Sequence, residues 1–318
     1  MDSQIYSGSR TFRFIFWTFA AGWIIQAAAA LLCLRGLYTI AQSVITVSMF
    51  APLLGAAVSG GLSGTGWKPN LKGNVLRYMA AWFGPALLTA LGACLFFLVF
   101  PEHFDLTGEY IVSSAGTAGL RALDLIGLNY PRLVLLSSVF GILVYPFFGM
   151  FLALGGEIGW RGALYPQLKA RFGVQDGKII GGFIWGIWHW PLICLAGYTY
   201  GTGYFGFPAA GMAAYCLFTV SAGIICDRIY ERTGSIWASA LFRGALNSAA
   251  AIPLMMCTSS GTAERLFGPV PEGLISGIPL LAAALFIILR TGRGKRGDET
   301  SPPVSGEEET YPGEDSLS

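Results

Sequence analysis

The sequence predicts an all-α protein, a polytopic transmembrane helix bundle of about eight spans, and three observations carry that prediction. Hydrophobic residues make up 54% of the 318 and charged residues 12%, roughly half the charged share of an ordinary soluble domain. Mean hydropathy is +0.58. The chain also contains 43 glycines, which suit helices that must approach closely in lipid. So little charge cannot cover a soluble globule, and a net charge of +2 is no footprint for nucleic acid. A soluble enzyme, a nucleic-acid partner and a disordered scaffold are therefore disfavoured.

Apolar stretches long enough to cross a bilayer fall at 12–34, 37–60, 76–100, 133–154, 178–196, 205–226, 235–257 and 273–290. The first starts beside Arg10 and Arg13 and has no small-residue cleavage site, so it reads as a retained anchor. With the N-terminus inside, fourteen Lys and Arg residues lie in cytoplasmic segments, against Arg35, Arg121, Arg132 and Arg265 outside. The positive-inside rule thus predicts an integral cell-membrane protein with both termini cytoplasmic.

Four regions follow: a cytoplasmic N-terminus at 1–11, N-terminal transmembrane helices with a long loop at 12–132, a second transmembrane domain at 133–290, and an acidic tail at 291–318. The tail is rich in Pro, Ser, Gly and Glu and reads as disordered. The loop from Pro101 to Pro131 has room for a surface helix, and residues 62–75 read as a basic turn. The six cysteines all lie in apolar segments without C-x-x-C spacing, and are expected as buried small hydrophobes rather than disulfides or metal ligands. The absence of an internal repeat disfavours a transporter built from two related halves.

In so apolar a chain the polar residues inside the spans are informative, because each ionisable group there costs roughly 2.5–3.5 kcal/mol and calls for a partner or a function. They concentrate in three helices with one spacing. In LGGEIGWRGALYPQL, Glu157 and Arg161 are four apart; in FIWGIWHWP, Trp185 and His189; in SIWASALFRGALNS, Arg243 and Asn247. Residues four apart share a helix face, so the three pairs are expected to converge on one polar pocket. Each also has a plainer reading: an intrahelical ion pair, an interfacial aromatic belt around His189, or a hydrogen bond from Asn247 to a neighbouring helix.

These residues resemble the CPBP family of membrane proteins, which includes CAAX prenyl endopeptidases, bacteriocin-processing proteins and proteins similar to lysostaphin-resistance protein A. Its motifs run E-E-x-x-x-R, F-x-x-x-H and H-x-x-x-N. The flanks EIGWRG at 157–162, HWPL at 189–192 and RTGSIW at 232–237 strengthen the resemblance. It implies an intramembrane endopeptidase acting on prenylated or leader peptides, with membrane lipid and a membrane-associated peptide or protein as partners. By the same resemblance Glu157, His189 and Asn247 are the candidate catalytic residues, and Arg161, Trp185 and Arg243 support the pocket.

Active members are thought to use the first Glu as general base, the His and Asn residues holding water around a metal, zinc in some members, or through hydrogen bonds. Here Trp185 stands in place of the Phe, and two of the groups that would carry the reaction are missing. Gly156 stands where the first Glu would be, and Arg243 where the third-motif His would be. Arg243 is a permanent cation that neither ligates a metal nor accepts a proton, so no metal ligand and no cofactor is assigned. Arg243 is expected either to pair with Glu157 or to make the pocket an anion site. The alternative reading is a catalytically inactive member that binds a peptide or lipid and regulates a membrane partner.

Overall fold

The structure, a computed structural model, describes residues 8–258 and 263–298. It is all-helical. The N-terminal part holds α1 (Gly8–Leu34), α2 (Tyr38–Ser48), α3 (Ala51–Ser59), α4 (Val75–Val99) and α5 (Glu109–Leu125). Then come α6 (Tyr130–Leu143), α7 (Tyr145–Glu157), a π-helical turn at Ile158–Leu164, and α8 (Tyr165–Phe172). The chain continues through α9 (Val174–Trp188), α10 (Trp190–Ala196), α11 (Ala209–Thr233), α12 (Ile236–Met255) and α13 (Ile278–Asp298). The only extended pairing among the described residues is an isolated bridge between Phe104 and Cys257.

Five helical stretches are long and apolar enough to cross a bilayer: Gly8–Leu34, Tyr38–Ser59, Val75–Val99, Val174–Ala196 and Ala209–Thr233. A sixth forms if Gly116–Leu125 and Tyr130–Leu143, bent by 85°, count as one broken span. This is an integral membrane protein, and the expectation of about eight spans is only approximate. The difference has local causes. The stretch 133–154 is broken at Val144, and the apolar part of α13 is Ile278–Thr291. Helix α12 spans 20 residues, but most of it is buried, with Arg243 near its middle.

Proline explains the break at Val144. Pro146 has no N–H to give the Ile142 carbonyl one helical turn earlier, and that carbonyl is satisfied instead by the Trp82 indole of α4 at 2.8 Å. Tyr–Pro dipeptides begin α6, α7 and α8, and Trp190–Pro191 begins α10, in keeping with the preference for Pro in the first helical turn. The loop helix expected between Pro101 and Pro131 is present as α5, its Gly116 in a non-helical conformation. The tail boundary expected at 291 falls inside α13; residues 299–318 lie outside the described residues. All six cysteines are free. Cys216 and Cys226 are buried as expected, whereas Cys94 is exposed on the apolar surface.

The outer faces carry exposed Ile24, Leu31, Leu76, Leu87, Leu98, Phe286 and Leu289, a surface suited to lipid rather than water. Inside, the motif helices are held by the N-terminal half. Gly22 on α1 leaves room for the Trp188 indole, which donates to the Thr18 carbonyl at 3.2 Å.

The bundle has two chemically different ends. At one, Lys169 and Lys178 pair with Asp227 at 2.9 and 3.2 Å and with Glu231 at 3.1 and 2.8 Å, tying α8 and α9 to α11. Asn70 and Gly66 join this end through the Thr233 carbonyl and the Ile236 amide. At the other end the Asp105 amide donates to Met256 O and the Thr258 amide to His103 O, while the Tyr200 hydroxyl donates to the Glu272 carbonyl at 2.8 Å.

Helices α7 and α12 approach closest through Gly149 and Gly244. A Cβ on Gly244 would lie 2.4 Å from Met150 N and 2.5 Å from Gly149 C, whereas one on Gly149 would meet Gly244 Cα at 3.0 Å. Backbone cannot yield as a side chain does, so Gly244→Ala is expected to destabilise by about 2 kcal/mol or more. Gly149→Ala should cost clearly less. Thermal unfolding of the two variants in detergent checks the order.

Candidate functional site

The α7–α12 contact places the end of α7 beside the middle of α12, and three motif residues meet there. Glu157, wholly buried, accepts from Arg161 Nη1 at 3.0 Å and from Arg243 Nη1 at 3.4 Å. Its other oxygen accepts a short hydrogen bond from the Ser239 hydroxyl. One carboxylate thus faces two guanidinium groups, and the cluster carries an excess positive charge. The Trp185 ring takes part, with Arg161 Cζ 4.8 Å and Arg243 Cζ 4.7 Å from its centroid, distances at which cation–π attraction operates.

Gly156 is part of the same arrangement. A Cβ there would lie 2.3 Å from Arg243 Nη1. The guanidinium therefore occupies the space into which a side chain at 156 would grow. The departures at 156 and 243 are one local solution: the missing side chain makes room for the larger cation, and Glu157 supplies its counter-charge.

His189 sits at the break between α9 and α10. Its own amide turns to Gly186 O at 3.0 Å, which leaves the Trp185 carbonyl without its regular helical partner. His189 Nδ1 fills that vacancy at 3.1 Å. A carbonyl can only accept, so Nδ1 carries the proton and Nε2 holds the lone pair. The ring packs against Trp188 and Tyr215, with centroids 4.7 and 4.6 Å away.

Trp185, His189, Arg243 and Asn247 line one cavity of about 770 Å³. The expected convergence of the motif helices therefore occurs for these four residues. Glu157 and Arg161 do not reach the cavity; they lie buried behind it, joined to it through Arg243 and Trp185. Helix α2 contributes Ile45 and Ser48 to the wall, and Met49 follows directly after it, so the N-terminal half builds the site as well as covering it. From Arg243 the cavity runs to the end opposite the Lys169–Asp227 network, where Tyr110, Tyr198, Thr199 and Glu272 line it.

Three lining or supporting residues escape a motif-based reading. Ser239 continues the Arg243–Asn247 spacing one turn back along α12, a signal the sequence does contain. Tyr215 faces His189 from α11, which carries no motif. Glu272 comes from the loop before α13 and looks in sequence like an ordinary loop acid. Its Oε2 is nevertheless buried with no hydrogen-bond partner among the described residues, although the residue as a whole is partly exposed. Burial pushes its carboxyl up to about 7. Burial, and after it the Glu272 charge, push the Tyr198 hydroxyl up to about 12.

The donors present do not fit the zinc that some family members are thought to use. The described residues contain no group of three His, Cys, Asp or Glu able to hold a metal ion, and a tetrahedral catalytic zinc wants three such ligands. The Glu157 carboxylate is already shared among Arg161, Arg243 and Ser239, and Arg243 would repel a divalent ion.

Residues 137–249 match the family profile described as Type II CAAX prenyl endopeptidase Rce1-like. The matched segment runs from α6 to α12 and contains all three motif helices. Over 37 residues the chain is 40% identical to CAAX prenyl protease 2 of Methanococcus maripaludis, a stretch covering 12% of this chain and 14% of that relative. The chain thus matches about one seventh of that relative's length. The profile match contains the EIGWRG, HWPL and RTGSIW segments.

Proposed function

We propose, from the premise that residues 137–249 form a CAAX prenyl endopeptidase-like core, that this membrane protein receives a membrane-associated peptide in its central cavity and cleaves it there. The observation that carries this reading is the convergence of Trp185, His189, Arg243 and Asn247 on one cavity of about 770 Å³, a size that suits a short peptide segment. The lining combines apolar wall with a few polar groups. Arg243 and Asn247 are donors able to hold a carbonyl oxygen as charge develops on it, and His189 Nε2 is an acceptor. Glu157 is assigned a different part from a catalytic one: as counter-ion to two buried guanidinium groups, it holds Arg243 in place.

With the termini cytoplasmic, as the basic segments imply, the ion cluster lies toward the cytoplasmic side and the far end of the cavity toward the other. The reading is tested by offering purified protein in proteoliposomes prenylated and leader-type peptides that fluoresce on cleavage. His189→Ala and Asn247→Ala are expected to lower cleavage at least about 100-fold. No cleavage of any peptide by the wild-type protein would sink the reading. The commitment of Glu157 to Arg161, Arg243 and Ser239 favours a second one, a member that binds an anionic peptide terminus or lipid headgroup at Arg243 without hydrolysis. Peptide binding with no cleavage, weakened by Arg243→Gln, would support that alternative.

A further inference from the structure

We infer that Trp188, clamped by α1, is a positioning residue for His189: α1 holds the indole, and the indole holds the imidazole with its proton on Nδ1 and its lone pair on Nε2. For its effect on rate this rests on the peptide-cleaving reading above, while the positioning itself can be observed without any substrate. Helix α1 lies outside the matched segment 137–249. The clamp is therefore built by a part of the chain that the family resemblance does not cover.

The clamp is reciprocal. The Trp188 indole donates to the Thr18 carbonyl at 3.2 Å, and the Trp188 carbonyl accepts from the Trp23 indole at 3.2 Å. Both contacts have a cause in the sequence. Thr18 lies one turn before Gly22 on the same face of α1, and Gly22, having no side chain, lets the indole reach the Thr18 carbonyl. A Cβ at 22 would lie 2.1 Å from Trp188 Nε1 and 2.7 Å from Cε2. The Trp188 carbonyl can accept from α1 because Pro191 has no N–H to give it and the Leu192 amide turns to His189 O at 3.1 Å. Trp160, wholly buried, packs on the indole at 74° with centroids 6.2 Å apart. Trp188 is buried too, so it belongs to the interior and not to an interfacial aromatic belt.

What the clamp fixes is the ring beside it. The His189 imidazole stands at 88° to the indole with centroids 4.7 Å apart, an edge-to-face contact. Its Nδ1 donates to the Trp185 carbonyl at 3.1 Å, a bond that survives only while the ring keeps its orientation. An indole fastened at both its N–H and its backbone carbonyl resists the ring's rotation, and a site group needs such support to stay in place. A rotated imidazole would lose the Trp185 carbonyl and with it the preference for the proton on Nδ1. Nε2 would then carry the proton part of the time and could not accept one.

The test uses Gly22→Ala, which drives a methyl group into the indole from a position that does not line the cavity. One readout is nitrogen-15 NMR of histidine-labelled protein in nanodiscs, in a His103→Gln background that leaves His189 as the sole histidine. The background protein should show one tautomer, protonated on Nδ1, and Gly22→Ala should show both. The other readout is cleavage of an internally quenched prenylated peptide in proteoliposomes. Gly22→Ala should lower kcat about 10- to 100-fold, in the range for a small misplacement caused away from the chemistry, with KM unchanged within about threefold. Adding Trp188→Phe, which removes the Nε1 that the new Cβ would strike, should restore the Nδ1 tautomer and part of the rate. Gly61→Ala is the packing control: its Cβ would meet Ala163 Cβ at 2.7 Å, so it should lower Tm and leave tautomer and kcat as they were. An unchanged tautomer in Gly22→Ala, mixed tautomers already in the background protein, or an equal loss of rate in Gly61→Ala overturns the proposal while leaving the cleavage reading intact. A wild type that cleaves nothing overturns the cleavage reading, and the ring nitrogens then decide the positioning alone. If Gly22→Ala does not fold, Trp23→Phe takes its place with the same readouts. It removes the donor to the Trp188 carbonyl without a clash, and its loss of rate should be about two- to tenfold, the worth of one hydrogen bond.

Discussion

Glu157→Gln is expected to be the most damaging single change in the protein. Glu157 is wholly buried and is the counter-ion of both Arg161 and Arg243. Removing one partner of a buried ion pair typically costs 3–5 kcal/mol, because it leaves a charge stranded in a low dielectric. Here the loss strands two cations, one of them, Arg161, with no access to solvent and with Nε and Nη2 already lacking hydrogen-bond partners. The expected cost is therefore about 5 kcal/mol, a fall in Tm of roughly 10 °C. Arg161→Met should cost less, since Glu157 keeps Arg243 and Ser239. Arg243→Met should cost least, because Arg243 reaches the cavity and its loss still leaves one carboxylate facing one guanidinium. Thermal unfolding of the three variants in one detergent gives the order. A Glu157→Gln protein as stable as wild type would show that the carboxylate is not the counter-ion of this cluster. The comparison also bears on mechanism: a residue whose loss unfolds the bundle cannot be assigned a catalytic role from lost activity alone.

How far the site was legible depends on which physical signal placed each residue. The pairs Glu157–Arg161, Trp185–His189 and Arg243–Asn247 were visible because a four-residue spacing fixes a helix face, and because charge in so apolar a chain is scarce. Ser239 obeys the same spacing but is uncharged, so scarcity did not mark it. The breaks at Val144 and His189 were written in Pro146 and Pro191. Hydropathy averaged over a span is blind to them, which is why 133–154 reads as one helix and α6 and α7 are two. The tautomer of His189 follows from the second break, and no sequence pattern contains it. Glu272 and Tyr215 were out of reach because their places in the cavity depend on tertiary packing of a loop and of a helix that bears no motif. The same limit applied to Gly156 and Arg243. In sequence they are two separate departures from a pattern, eighty-seven positions apart, and only the packing of α7 on α12 reveals them as a contact.

That contact makes a second strong expectation, this time about coupling. A Cβ at 156 would meet Arg243 Nη1 at 2.3 Å and Cζ at 3.2 Å. The guanidinium is the far end of a flexible side chain, so it can move, but only away from Glu157 at 3.4 Å and from the Trp185 face at 4.7 Å. Gly156→Ala should therefore cost about 1–3 kcal/mol in the wild-type background. In an Arg243→His background, where the shorter imidazole vacates that space, it should cost little. The coupling expected from the double-mutant cycle is about 1–2 kcal/mol, within the range for residues in contact. Additive losses would mean that Gly156 is required by helix packing alone. The larger change follows the same geometry: Glu at 156 is excluded while Arg243 stands but fits once it is His, so Gly156→Glu should be recovered folded only together with Arg243→His. That double variant regains the E-E-x-x-x-R and H-x-x-x-N patterns and a base beside His189. On the prenylated peptide it should cleave about 100-fold faster than the natural protein or more, as expected for a regained general base.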